Sequence, residues 1–136
     1  MKLLSMALIT ALLSTAAMAK SVDGDKATAL RTALIKSGAE AKIHMEASVV
    51  SVTNVKCSQE GGIVLLPLKC SFVDTSSGRL EESEGKNAQA LATAMTSAGV
   101  KSASVREGEH TSFKVAAKSI ECITMAMHHV ISCDIK

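Results

Sequence analysis

Tryptophan and tyrosine are absent from this chain, and the only aromatic carbocycles are Phe72 and Phe113. Tight protein interfaces draw heavily on Trp, Tyr and Arg, and sites for sugars or single-stranded nucleic acid are built on stacking rings. Carbohydrate and nucleic-acid partners are therefore not expected, and both phenylalanines fall on apolar strand faces that mark them for the core. A dominant charge is missing too: 15 basic residues face 13 acidic ones, for a net +2. Nothing in that balance steers the protein to nucleic acid or to anionic lipid. Also missing are the Gly-x-Ser-x-Gly elbow, the His-Glu-x-x-His helix, the phosphate-binding glycine loop and the dinucleotide fingerprint. Without an arranged constellation, no enzyme activity and no cofactor are expected.

What the chain does have begins with Met1–Ala19. A short positive start at Lys2 leads into an apolar run, and Ala17-Met18-Ala19 follows as a small-x-small cleavage pattern. The run falls short of the roughly 20 apolar residues of a membrane span. Residues 1–19 are expected to be a signal peptide and residues 20–136 a single exported domain, periplasmic or secreted, with no stable membrane anchor.

Within that domain the sequence echoes itself. Ala27–Gly38 matches Ala88–Gly99 at an offset of 61, with identities at Ala27/Ala88, Leu30/Leu91, Ala33/Ala94 and Gly38/Gly99 among others. Val50–Cys57 aligns with Val115–Cys122 at an offset of 65, and Leu68–Phe72 with Ile131–Ile135 at 63. Same order, similar spacing and cysteines in register indicate an internal duplication. Ala27, Leu30, Ala33 and Leu34 recur at helical steps, and Gly38 and Gly99 are placed as left-handed caps. The period then changes to two: Leu68, Cys70 and Phe72, like Ile131, Cys133 and Ile135, alternate with polar residues. Longer strands are expected over Ala47–Cys57 and Ser112–Met125, and short ones over Lys42–Met45 and Lys101–Arg106. Gly61-Gly62 reads as a turn, and Pro67 places the returning strand at a sheet edge. The expected fold is α+β: two tandem αββ(β) repeats, about 24–74 and 85–136, forming an antiparallel sheet with two helices packed on one face. Residues 75–84 form a polar linker between them.

Four cysteines in a small exported chain point to disulfides. The duplication favours Cys57–Cys70 and Cys122–Cys133, one staple per repeat, each stabilising by about 3 kcal/mol through the loop it closes. A redox role would want a Cys-x-x-Cys pair, and structural zinc needs closer ligand spacing.

The stretch Met125-Ala126-Met127-His128-His129 is the one place where soft ligands crowd together. At offset 63, Met127, His128 and His129 fall on Val64, Leu65 and Leu66, which makes the position apolar in one copy. Adjacent strand histidines also point to opposite faces, so both reach one ion only across a turn. No metal site is favoured there, and Met125, Met127, His128 and His129 stand as alternative ligands for copper or zinc. His44 and His110 are expected to be ordinary surface residues. By elimination the leading expectation is a non-catalytic exported binding module, a small disulfide-stapled inhibitor or interaction protein whose partner is another exported protein.

Overall fold

The computed structural model describes residues 20–125 and 130–136. In chain order the elements are β1 (Lys20–Asp23), α1 (Gly24–Lys36), β2 (Ala41–His44), β3 (Ala47–Gly61) and β4 (Lys69–Asp74). They continue as β5 (Leu80–Glu84), α2 (Lys86–Ser97), β6 (Ser102–Glu107), β7 (His110–Met125) and β8 (Val130–Ile135). The fold is α+β and mostly sheet.

The helices α1 and α2 stop for the reason their sequences predict. Gly38 and Gly99 hold φ of 116° and 99°, a region open to glycine because it lacks a Cβ. At the end of α1, the Gly38 amide bonds the Ile35 carbonyl and the Ala39 amide bonds the Leu34 carbonyl. At the end of α2, Gly99 and Val100 do the same to Thr96 and Met95. These paired bonds are Schellman caps, and they satisfy carbonyls that would otherwise be orphaned.

Among the described residues, all eight strands join one open antiparallel sheet in the order β1-β8-β7-β3-β4-β5, with β2 also beside β3 and β6 also beside β7. The centre is the long β3–β7 ladder, in which Val50 faces Cys122 and Cys57 faces Val115. Each long strand thus carries two shorter ones in tandem along its outer edge. Near its middle, each also switches which residues it buries. β3 buries Val50 and Val52, then Val55 and Cys57; β7 buries Val115, then Ile120 and Cys122. The cause is one extra residue per strand. Asn54 takes a left-handed φ of 53° where the β3–β4 register slips, and the Lys118 and Ser119 amides converge on the Lys136 carbonyl at 2.7 and 3.4 Å. Such bulges reset the pleat and deepen the local twist.

The helices pack against each other and onto the sheet. Leu30, Leu34, Leu91 and Met95 meet Val50, Val52, Val55, Phe72, Val115 and Ile120, all but removed from water. Phe113 is half-buried at the margin of this core. The strand and helix that open each part of the chain cross to the other part: β1 pairs with β8 and β5 with β4, while α1 packs on β8 and α2 on β4.

Two expectations need correcting. Residues 75–84 are not a plain linker, because Leu80–Glu84 forms β5 on β4; its polar residues suit a solvated edge. Pro67 does not mark a sheet edge either, since β4 is flanked by β3 and β5. The proline sits in the loop ahead of β4, where its missing amide costs no ladder bond.

Candidate functional site

Chemistry that needs thiols is excluded by pairing. Cys57–Cys70 and Cys122–Cys133 are disulfides, and no cysteine is free. Each joins directly opposed residues of neighbouring strands, Cys57 to Cys70 across β3–β4 and Cys122 to Cys133 across β7–β8. All four are buried. Cys70 Sγ lies 3.2 Å from the Ala88 carbonyl of α2, and Cys133 Sγ lies 3.5 Å from the Ala27 carbonyl of α1. A bridged sulfur has no proton to donate, so these are packing contacts that seat each helix on a staple. The bridges belong to the core.

Asp74 is the buried charge, 1% exposed at the end of β4. Burial alone would raise its pKa. Hydrogen bonds from the Ser76 hydroxyl at 2.7 Å, the Glu40 amide at 2.9 Å and the Ser76 amide at 2.9 Å more than offset that and hold the carboxyl below its usual range. These donors tie the α1–β2 connector to the β4–β5 turn. With its acceptors filled by the backbone and Ser76, the group is a structural anchor. Among the described residues no three His, Cys, Asp or Glu side chains gather as a metal would require. On the sheet face away from the helices, Lys56, Ser58, Lys69, Ser71, Glu82 and Glu84 line an open depression. Its one ion pair, Lys69–Glu84 at 3.8 Å, is solvated and contributes little.

The strongest departure from ordinary surface lies in the loop between β3 and β4. Ile63 is 91% exposed and Val64 72%, with Leu65 and Leu66 also out. Gly61 through Leu68 carries no charge. Yet the loop is held. The Gly62 amide bonds the Val64 carbonyl at 3.2 Å, the Leu66 amide bonds the Glu60 carbonyl at 3.0 Å, and Gln59 Nε2 donates to the Leu66 carbonyl at 2.9 Å. Leu65 folds back on Gly61, where an added Cβ would stand 2.5 Å from Leu65 Cδ1 and 2.8 Å from its Cα. Beside it runs β6, exposed along its length and paired through one edge to β7. Leu65, Val105 and Phe113 share one shallow depression there. Single exposed aliphatics are normal, but a contiguous set held in a bonded loop is the usual mark of an interaction surface.

Of the soft-ligand stretch, Met125 ends β7, opposite Ala47 and exposed; Ala126, Met127, His128 and His129 lie outside the described residues. The loop Ile63–Leu66 was not foreseen as a site, because aliphatic runs ordinarily mean buried strand. The signal available was its frame, Gly61-Gly62 before and Pro67 after.

Taken together these features define a small disulfide-stabilised α+β module. No protein-family model, curated protein or solved structure matches the chain. Two bridged pairs are what an oxidising compartment allows, and among the described residues no helix is long and apolar enough to cross a membrane.

Proposed function

We propose that this chain is a non-catalytic exported binding module, matured by loss of residues 1–19, that seats the loop Ile63–Leu66 in an apolar cleft of another exported protein. The observation that carries the reading is the combination of exposure and order in that loop. Aliphatic side chains left in water forfeit about 1.5–3 kcal/mol each relative to burial. A partner that covers them recovers that energy, and because the loop is already held by hydrogen bonds, little ordering cost is added on binding. The aliphatic loop stands in for the aromatic anchors that the chain lacks. The polar face of Lys56, Lys69, Glu82 and Glu84 offers no comparable driving force.

The architecture behind the loop is read as a duplicated unit. Support comes from the matching Schellman caps, from the staples at Cys57–Cys70 and Cys122–Cys133, and from Val50/Cys122 and Cys57/Val115 facing each other across the central ladder. On that reading the loop after β3 and the connector after β7 are equivalent positions that have diverged, one aliphatic and one rich in Met and His. Affinity capture from the exported proteome with the mature protein and an Ile63→Asp, Val64→Asp variant tests the docking role. A discrete species retained by the parent and lost by an equally stable variant is expected. Identical recovery by both, or none by either, would contradict it.

A further inference from the structure

At the opposite end of the long strands from that loop, we propose a binding site for a soft monovalent metal ion, Cu(I) or its redox-inert mimic Ag(I), formed by His44, Met45 and Met125. The strand register carries the argument. His44 of β2 is paired with Ala47 of β3, and Ala47 with Met125 of β7. Directly opposed residues project from the same face of a sheet, so the three side chains stand in a row. Neighbouring strands are about 4.8 Å apart, which puts His44 and Met125 about 10 Å from each other with the small Ala47 between them. An imidazole and a thioether are each long enough to lean to the middle of that span, and the alanine methyl leaves the space above it clear. Both ends of the row are open to solvent, His44 and Met125 each exposed.

Met45 is the independent observation. It occupies the β2–β3 turn with φ at 57° and is 87% exposed. A left-handed conformation costs a side-chain-bearing residue roughly 1–2 kcal/mol. The corresponding β6–β7 turn avoids that cost by using Gly108, φ 62°, at the same place. A methionine that is strained, exposed and unpacked contributes nothing to the core, so its benefit lies in what it binds. It follows His44 directly in the chain, at the open end of the row.

The donor set selects the ion. Two thioether sulfurs with an imidazole nitrogen favour Cu(I) over zinc, and the one carboxylate of the turn, Glu46, falls short of the six or more oxygen ligands that calcium needs. This site is separate from the docking loop, and failure of either leaves the other untouched.

The test is anaerobic Cu(I) titration of the disulfide-intact protein, residues 20–136, against the chromophoric competitor bicinchoninate, repeated with Ag(I). The parent is expected to withdraw one Cu(I). His44→Ala and Met125→Leu should each weaken binding at least ten-fold, and Ala47→Leu, which fills the floor of the row, should do the same with both ligands intact. Thermal unfolding of each variant confirms that the fold persists. A His128→Ala, His129→Ala variant separates this site from the neighbouring connector and should stay within a few-fold of the parent. No withdrawal of Cu(I) by the parent overturns the proposal. So does parent-like affinity in His44→Ala and Met125→Leu, or loss confined to the His128→Ala, His129→Ala variant.

Discussion

Gly61, Asp74 and Met45 each hold a position that another residue would fill at a cost or a gain set by local geometry. Gly61→Ala drives a methyl into Leu65 at a distance where backbone or side chain must shift. Overpacking of this kind typically costs 1–3 kcal/mol, so a lower denaturation midpoint is expected together with weakened docking, because the displaced segment is the loop proposed to dock. Asp74 makes stability depend on acid. Its folded pKa lies below the ordinary value, so its contribution is complete above about pH 4 and is lost as pH falls through the lower folded value. Urea unfolding across pH should show the parent weakening below about pH 4. Asp74→Asn should be less stable at neutral pH and flatter on the acid side. Met45→Gly should act in the other direction, raising stability by up to about 1 kcal/mol as left-handed strain is relieved. A rise in thermal midpoint with loss of Cu(I) binding would show both halves of the bargain at that residue.

At the scale of elements, legibility follows apolar periodicity. α1 and α2 were readable because Ala27, Leu30, Ala33, Leu34 and their counterparts recur at helical steps and meet a glycine that ends the run. β3, β4, β7 and β8 were readable from alternation around the cysteines. β1 and β5 were not, because Lys20–Asp23 and Leu80–Glu84 are short, polar and solvated at the sheet margins, and they exist as strands through pairing with β8 and β4. The bulges left no composition signal beyond Asn54, and the loop Ile63–Leu66 was not marked as a surface feature because exposure is a property of the assembled fold. The two staples act on the elements they join. Replacing Cys57 and Cys70 by serine together should lower stability by about 3 kcal/mol, as expected for a loop of this length; an unchanged midpoint in equilibrium denaturation would mean that the bridge constrains nothing.

For the whole molecule, the cross-packing of β1–α1 on β8 and of β5–α2 on β4 makes each half depend on the other, while each disulfide stays within one half. A protease site inserted between Ser77 and Gly78 gives a direct prediction. After cleavage the halves should co-elute under native conditions and separate in denaturant without any reductant. Separation under native conditions would contradict the interlocked core, and persistence in denaturant would place a bridge between the halves.

The claim on which the functional account rests is that Ile63–Leu66 is the docking surface, and site-specific photocrosslinking in the exporting cell addresses it most directly. A photoreactive residue in place of Ile63 should yield one discrete adduct with another exported protein, while the same probe at Lys56 on the polar sheet face yields none. Equal labelling from both positions, or no adduct from Ile63, would contradict the account.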